Sequence, residues 1–470
     1  MRKPKAPAPR ARGLPAGDKY RVSAVVCARW ETQYIQEWLA YHRSINIGHV
    51  YLYCNDDTPD ALYQQVLPFL DSANPFVTFH HFPFQGQQFY MYMHFLRTHM
   101  QETEWFVFLD IDEFLRLPPH NDAHRFLDAI PKKWDAVYFN WLFFNNNGFV
   151  TRPAGNVLLN YTRRDTSLHP STKTLTRSER VNVDNIVPRQ QMWHHWWDIL
   201  GKDAALFNVL GHRMQDYFAG NGADTGYLAD AKVQENLLTA GCIHHYAFKS
   251  EEDFLLRYQR GTSGDFDGQA TWKAAHDRGE APEFLARLGK VTDTYLADYW
   301  RGVLARVNQG WIARPPDLPN IALGRPATQS SVCEWSRART VSEDAAGAVN
   351  GSFTGSYQFH TDQEHQPWWQ VDLGALCDIH EVWLYNRVEN AGLSARGNDL
   401  AILLSPDGRK WTEAYRREGQ PVYGGADGHP LRIQLAPVRK ARHVRVMLLG
   451  AGLLHLDQVE VYGPRPAGRR

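Results

Sequence analysis

Long apolar runs are absent from the sequence, and no stretch approaches the roughly 18 to 20 consecutive apolar residues that a membrane-spanning helix needs. Net charge is absent too, since 51 Lys and Arg residues balance 51 Asp and Glu residues. A balanced charge gives no electrostatic reason to expect a nucleic acid partner. No apolar segment of the signal-peptide type follows the opening "MRKPKAPAPRAR". These absences predict a cytoplasmic protein that binds no nucleic acid.

Cysteine is scarce, and the five cysteines are scattered without any C-x-x-C spacing. An odd, dispersed set argues against a disulfide or zinc framework and for a reducing compartment. The basic ends of the chain, "MRKPKAPAPRAR" and "GPRPAGRR", are typical of disordered, solvated tails. Weak attraction to anionic lipid is the alternative interpretation of these ends. Membrane contact is therefore expected to be at most peripheral, at the inner face of the membrane.

Aromatic residues, by contrast, are plentiful, with 16 Trp and 21 Tyr. Aromatic rings stack on the C–H faces of sugars, and they also fill protein cores. Composition alone leaves both roles open.

The first part of the chain alternates strand-like and helix-like segments. "RVSAVVCA", "GHVYLYCN", "PFVTFHHF" and "EWFVFLD" are apolar runs of strand length, and "TQYIQEWLAYHRSI" has helical spacing. Such alternation predicts an α/β fold of the Rossmann-like type with a mostly parallel, helix-covered sheet. The prolines of "ARPPDLPN" then indicate a stiff linker.

Beyond the linker, short β-like runs such as "WWQVDLG" and "HVRVMLL" are separated by Gly and Asp-Gly turns. This texture predicts an all-β sandwich. The predicted organisation is a tail at 1–19, an α/β domain at 20–300, a linker at 301–319, a β-sandwich at 320–464 and a tail at 465–470.

Three carboxylates crowd the end of the fourth predicted strand, at Asp110, Asp112 and Glu113. In open α/β sheets, ligands bind at the carboxyl ends of the strands. An Asp-x-Asp alternation in extended chain places both side chains on the same side, where they repel each other unless a cation joins them. Mn²⁺ or Mg²⁺ suits oxygen ligands of this kind and can hold a diphosphate. Solvated acids or a helix N-cap are the alternative.

The surrounding stretches resemble bacterial glycosyltransferases of the GT-A fold, in the family-2-like and family-92-like group. The resemblance rests on "ARWETQYIQEWLAYHRSINIGHVYLYCNDD", "FLDIDEF", "WLFFNNNGF", "STKTL" and "IHHYAFKSEEDFLLRYQRG", in that order, and spans roughly 20–261. The group usually has Gly-Ser-Ser where this chain has three consecutive Asn residues.

The resemblance implies a role for each matching residue. The metal ligands would be Asp110, Asp112 and His245. The residues that meet the nucleotide-sugar would be Glu31, Asp56, Asp57, Lys173 and Lys249, with Arg257 as a further cation for the leaving group. The catalytic base stays open among Asp198, Asp216 and Glu113. The donor would be a UDP- or GDP-linked sugar and the acceptor a glycan.

The second domain, through "NIALGRPATQSS", "QPWWQVDLG" and "VWLYNRVENAGLSARGNDL", resembles the discoidin, or coagulation-factor-type C, jelly-roll sandwich, and its fucolectin branch in particular. The resemblance implies a carbohydrate site at His360, Arg387, Glu389 and Arg396. The spacing of the second Arg and the absence of a vicinal Cys pair depart from the branch. Asn350 and Gln458 replace carboxylates of a Ca²⁺ site, so we expect a weak Ca²⁺ site or none.

These features predict a metal-dependent glycosyltransferase for a surface or capsular glycan, joined to a sugar-binding module. A lectin-like protein whose α/β domain is catalytically inactive is the alternative. A metal-dependent phosphoesterase is a third interpretation, but the His and Asp cluster for two metals is missing from the sequence.

Overall fold

The structure is a computed structural model, and it describes residues 19–70, 75–185, 200, 203–214, 226–259, 277–280, 283, 289–307, 318–425 and 427–465. The chain divides into two compact units, 1–53 with 84–311 and 54–83 with 312–470. Residues 54–83, which the sequence analysis assigns to the α/β domain, thus group with the C-terminal part of the chain. No helix among the described residues is long and apolar enough to cross a membrane.

Helices and strands are numbered in chain order. The helices are α1 (Ile35–Ser44), α2 (Asp60–Leu70), α3 (Gln88–Thr98), α4 (Ala123–Ala129), α5 (Val157–Asn160), α6 (Ala231–Ala240), α7 (Glu251–Gln259), α8 (Tyr295–Val307), α9 (Val341–Ala345) and α10 (Ala391–Ser394). The strands of the N-terminal half are β1 (Tyr20–Ala28), β2 (His49–Cys54), β3 (Val77–His81), β4 (Thr103–Asp110), β5 (Glu113–Arg116), β6 (Ala136–Phe143), β7 (Arg163–Arg164), β8 (His169–Arg177), β9 (Leu206–Asn208), β10 (Cys242–His245) and β11 (Val291–Thr292). Those of the C-terminal half are β12 (Ala327–Gln329), β13 (Phe359–His360), β14 (Glu364–His365), β15 (Trp368–Tyr385), β16 (Leu400–Ser405), β17 (Thr412–Arg417), β18 (Leu431–Leu448), β19 (Ala451–Gly452), β20 (His455–Leu456) and β21 (Gln458–Tyr462).

The first unit is built on one large sheet, in which its strands follow the order β2-β1-β4-β8-β6-β10-β5, with β9 beside β6. Strands β1 and β4 pair in parallel, as do β6 and β10. Strand β8 enters antiparallel between β4 and β6, and β5 runs antiparallel to β10. The α/β class is therefore confirmed, and the sheet is mixed because β5 and β8 run against their neighbours.

Helix α1 covers this sheet with an apolar face. Ile35, Trp38 and Leu39 are fully buried, at the helical spacing that the sequence predicts. A buried face of this kind stabilises the helix more than its intrinsic propensity does.

The second unit carries an all-β core, which confirms the predicted β-sandwich class. Its main sheet has the order β12-β15-β18-β16-β17, and β21 also pairs with β15. Segment 54–83 joins this unit by hydrogen bonds, from Phe79 N to Asp427 O at 2.9 Å and from Tyr63 Oη to Gly428 O at 2.9 Å. Gly428 has a φ of +76°, and a Cβ there would lie 2.6 Å from Cβ of Phe79. Only glycine fits this contact without strain.

Candidate active site and sugar-binding site

The acidic cluster forms a tight turn between two strands. Strand β4 ends at Asp110, Asp112 lies in the turn, and Glu113 begins β5. The indole Nε1 of Trp38 donates hydrogen bonds to the backbone oxygens of Glu113 at 2.8 Å and Asp110 at 3.1 Å. The expectation that both aspartates lie in extended chain is therefore wrong, because the strand stops before Asp112.

Lys173, on β8, lies against two of the three acids. Its Nζ is 2.9 Å from Asp110 Oδ2 and 3.1 Å from Glu113 Oε2. Burial raises the pKa of Glu113 to about 8, although Lys173 opposes that rise. Glu113 is fully buried and also accepts a hydrogen bond from Asp110 N at 3.0 Å. Lys173 thus contacts the acids themselves, and Glu113 braces the turn.

Asp112 faces the opposite way, toward His245 and Arg257. Strand β10 pairs with β5 so that His245 stands opposite Glu113, which brings the late histidine to the acidic turn. His245 Nε2 lies 3.4 Å from Asp112 Oδ1, and Arg257 Nη1 bonds Asp112 Oδ2. Burial lowers the pKa of His245, which favours the neutral imidazole, whereas Arg257 and His245 hold the pKa of Asp112 well below its usual range against the effect of burial.

The atoms of this group fit a divalent cation. Among the described residues, neither Asp112 Oδ1 nor His245 Nε2 makes a hydrogen bond of normal geometry, although both are buried. Neighbouring ligands of an octahedral ion with bonds of about 2.1 Å lie about 3 Å apart, close to the 3.4 Å between these two atoms. A carboxylate oxygen and a neutral imidazole suit Mn²⁺. The Asp110 carboxylate already accepts hydrogen bonds from Gln88 and Lys173.

A shallow cleft lies beside Arg257 in the first unit, with about 290 Å³ of space that includes open solvent. Its lining includes three residues assigned to the donor, Glu31, Lys249 and Arg257, together with Trp30, Gln33, Tyr34, Ala247, Asp253 and Leu256. Lys249 Nζ stands 4.6 Å from the centre of the Tyr34 ring and 3.3 Å from Tyr246 O. The cleft therefore offers two carboxylates, two cations and aromatic rings within one concave surface.

Four of the residues predicted for the site are not among those described above. Asp56 and Asp57 belong to the second compact unit; the side chain of Asp56 is buried and that of Asp57 is exposed. Asp198 and Asp216, the other candidates for the catalytic base, lie outside the described residues. Their assigned roles stay predictions.

In the second unit, the predicted carbohydrate residues come together around His360. His360 Nδ1 donates to Thr361 O at 2.7 Å, so Nε2 of the neutral ring is left as an acceptor. Burial lowers the pKa of His360, and Arg387 and Arg396 lower it further. Arg387 Nε donates to Glu389 Oε1 at 2.8 Å. Arg387 and Glu389 are therefore paired with each other, while Arg396 is exposed.

Two aromatic residues that the sequence analysis did not single out complete this group. The Tyr357 ring lies 5.3 Å from the His360 ring and 5.0 Å from the Arg387 guanidinium. Trp335 lies 5.8 Å from His360, and 53% of it is exposed. An exposed Trp beside a polar group is the arrangement that stacks on a sugar face. Trp335 lies 25 positions before His360, so only the fold reveals their proximity.

Comparison with protein-family models gives two matches. Residues 24–206 match the model "Glycosyltransferase family 92", and residues 326–455 match "F5/8 type C domain". The chain thus carries a region similar to family 92 glycosyltransferases, followed by a region similar to the F5/8 type C domain. Asp110, Asp112 and Lys173 lie within the family 92 match, whereas His245, Lys249 and Arg257 follow it.

The curated relatives are plant proteins of family 92. One from Ricinus communis is 29% identical over 318 residues, covering 63% of this chain and 48% of the relative. Another, from Oryza sativa subsp. japonica, is 24% identical over 228 residues, covering 46% of this chain and 38% of the relative. The chain thus spans less than half the length of these two relatives. The bacterial grouping is not supported by them and stays a prediction.

Solved structures similar to the F5/8 type C domain include sugar-binding modules. A fucose-binding module of Streptococcus pneumoniae is 26% identical, with a TM-score of 0.27, and covers 32% of this chain and 99% of its own. The lectin domain of lectinolysin, complexed with Lewis B antigen, is 31% identical, with a TM-score of 0.26, and covers 32% of this chain and 98% of its own.

The side-chain amide of Gln458 fills the loop at 347–351. This is where the sequence analysis expected a weak Ca²⁺ site or none. Gln458 Nε2 donates hydrogen bonds to Gly347 O at 2.7 Å, Asp457 O at 2.9 Å and Asn350 Oδ1 at 3.0 Å. Gln458 Oε1 accepts from Gly351 N at 3.0 Å. Three oxygens therefore converge on a nitrogen atom, and this donor set does not fit a cation.

Proposed function

We propose that this chain transfers a sugar from a UDP- or GDP-linked donor to a glycan of the surface or capsular type, with the help of Mn²⁺ or Mg²⁺. The observation that carries the proposal is the pair of buried, facing ligand atoms on Asp112 and His245, next to a cleft with cations. A cation held by this pair would supply a Lewis acid for the donor diphosphate.

The side chains of the cleft fit the parts of a nucleotide-sugar. The Glu31 carboxylate accepts hydrogen bonds from ribose hydroxyls or from a base imide. Lys249 and Arg257 face the negative charge that grows on the departing nucleoside diphosphate, which stabilises the transition state. Lys173 instead keeps the Asp110 and Glu113 carboxylates in place, because its ammonium bridges them.

The F5/8 type C domain binds a saccharide of the acceptor in this proposal. His360 Nε2 accepts a hydrogen bond from a sugar hydroxyl, and Arg387 and Arg396 donate to hydroxyl or ring oxygens. The exposed Trp335 ring stacks on the C–H face of the same sugar or of its neighbour. Whether the sugar is fucose is left open, because the spacing of Arg396 departs from the fucolectin pattern.

One observation favours the alternative, a sugar-binding protein whose α/β unit does no chemistry. Arg257 pairs with Asp112, and Lys173 pairs with Asp110 and Glu113, so protein cations already offset the charge of the acids. In that case the chain binds glycans and turns over no nucleotide-sugar.

Hydrolysis of UDP- and GDP-sugars separates the two functions. We expect Mn²⁺-dependent release of UDP or GDP, reduced at least about 100-fold in Asp112→Ala because the electrostatic stabilisation of the leaving group is lost. Asp128→Ala, at an exposed carboxylate paired with Arg21, is the matched control and retains activity. Equal turnover in Asp112→Ala and Asp128→Ala would exclude the metal role of Asp112, and glycan binding without turnover of any donor would favour the alternative.

A further inference from the structure

Asp112 has two different neighbours on its two carboxylate oxygens. Oδ1 lies 3.4 Å from His245 Nε2, whereas Oδ2 is held by the Arg257 guanidinium. The Asp112 side chain is 3% exposed, and that of Arg257 is 21% exposed because it also lines the cleft. Arg257 thus reaches from the cleft to the ligand group and neutralises a buried carboxylate.

We infer that Arg257 holds the place of the divalent cation on Asp112, and that it moves to the phosphates of the donor when the cation binds. This inference rests on the proposed function, and it adds an order of events to it. Arg257 would be a residue that couples the binding of the cation to the binding of the nucleoside diphosphate.

The physical reason is that two cations compete for one buried carboxylate. A guanidinium held on Oδ2 and a divalent ion on Oδ1 of Asp112 would repel each other strongly at this separation. Asp112 without any positive partner would also be costly, since a buried, unpaired carboxylate loses its solvation. Arg257 therefore stabilises the carboxylate when no ion is bound and weakens the binding of the ion to it.

The cleft provides the new partner for the released guanidinium. Arg257 and Lys249 both line it, and a diphosphate there would accept paired hydrogen bonds from the guanidinium fork. The loss of the contact with Asp112 is offset only when the nucleotide is present. Binding of the cation and binding of the nucleotide then favour each other, by a reciprocal linkage.

Lys173 differs from Arg257, because we expect it to stay in place when the cation binds. Its side chain is 4% exposed and bridges two carboxylates, including the fully buried Glu113. Moving it would leave Glu113 without its cation. Arg257 is the exchangeable cation of the site, and Lys173 is the fixed one.

Mn²⁺ titrations of the full chain test the inference without any turnover. Free Mn²⁺ is measured by electron paramagnetic resonance, with Mn²⁺ alone and with saturating UDP or GDP. Because the competing charge is removed, Arg257→Gln should bind Mn²⁺ alone roughly tenfold more tightly than the wild type, within the usual range of coupling factors. The factor by which nucleotide tightens Mn²⁺ binding should fall by a similar ratio.

Two variants control for charge and for folding. Arg21→Gln removes a partly exposed arginine of the Asp128 ion pair, and Arg257→Lys keeps a positive charge at the site; both should bind Mn²⁺ alone as the wild type does. Circular dichroism verifies that Arg257→Gln is folded. The inference alone is overturned if Arg257→Gln binds Mn²⁺ no more tightly than the wild type, or if Arg257→Lys binds Mn²⁺ as tightly as Arg257→Gln. Absence of Mn²⁺ binding by the wild type, with and without nucleotide, overturns the metal role in the proposed function.

Discussion

Lysine is rarely buried, yet the ammonium of Lys173 is enclosed between two carboxylates. Burial alone would lower the pKa of Lys173, but Asp110 and Glu113 raise it above its ordinary value. The three charges depend on one another, since each carboxylate is buried or half-buried beside its neighbours. Removal of the Lys173 cation should therefore lower the free energy of unfolding by more than the ion pair itself contributes to it.

Lys173→Met should lower the free energy of unfolding by roughly 3–5 kcal/mol, because it leaves the buried Glu113 and the half-buried Asp110 without their cation. Lys232→Met is the matched control, since Lys232 pairs with Glu235 in solvent, and it should change little. Urea unfolding followed by fluorescence measures both. Equal stability of the two variants would contradict the role given to Lys173.

At the residue scale, the sequence indicated which residues gather at the acidic turn, but it did not indicate which of them pair with each other. Asp110, Asp112 and His245 lie together because β5 pairs with β10 in a register that sets His245 opposite Glu113. The pairing of Lys173 with the acids depends on the antiparallel entry of β8, which no local pattern reveals. No local pattern links Trp335 to His360 either, because the two residues are distant along the chain.

At the scale of elements, the loop before β13 is fixed to the start of β21 by side chains. Asp457 accepts hydrogen bonds from Thr354 N at 2.9 Å and Gly355 N at 2.7 Å, and Gln458 holds Gly347, Asn350 and Gly351. Burial raises the pKa of Asp457 to about 7, although these hydrogen bonds act to lower it. From these contacts we expect the stability of this loop to be independent of Ca²⁺ and to depend on pH.

Millimolar Ca²⁺ should leave the Tm of the wild type nearly unchanged, because an amide nitrogen fills the centre of the loop. The double variant Asn350→Asp, Gln458→Glu restores two carboxylates, and Ca²⁺ should raise its Tm by about 5 °C or more. Differential scanning calorimetry with Ca²⁺ or with chelator measures the shift. A large Ca²⁺-dependent shift in the wild type would refute this account of Gln458.

The pH dependence of stability provides a test of Asp457. A carboxyl group whose folded-state pKa is raised contributes stability that is fully present below its unfolded pKa, near 4, and is lost as the pH rises through the folded value of about 7. Relative to the non-titrating Asp457→Asn, the wild type should lose roughly 3–4 kcal/mol between pH 4 and pH 7. Denaturant unfolding across this range measures the difference, and a difference independent of pH would show that Asp457 titrates normally.

At the scale of the whole molecule, each compact unit carries its own candidate site. The first unit carries the acidic turn, His245 and the cleft, and the second carries the predicted carbohydrate residues around His360. Composition and strand patterns predicted both fold classes, because periodicity and turn residues are local signals. They did not predict that 54–83 would join the second unit, since contacts such as that of Tyr63 with Gly428 span most of the chain.

Separate sites should give separate losses of function. Arg387→Ala should abolish retention on immobilised glycans and leave Mn²⁺-dependent hydrolysis of the donor intact, because Arg387 contacts Glu389 and Tyr357. Asp112→Ala should do the reverse. Affinity chromatography and nucleotide release, measured on both variants, provide the comparison. Loss of both functions in a folded Arg387→Ala variant would contradict two independent sites.

The central claim is that Asp112 and His245 hold a divalent cation under a nucleoside diphosphate. Crystals soaked with Mn²⁺ and UDP or GDP, measured at a wavelength where manganese scatters anomalously, test it most directly. The account predicts an anomalous peak at ligand distance, about 2.1–2.3 Å, from Asp112 Oδ1 and His245 Nε2, with the diphosphate beside it and the Arg257 guanidinium on the phosphates. Nucleotide bound without such a peak, or Arg257 still on Asp112 with the cation present, would contradict it.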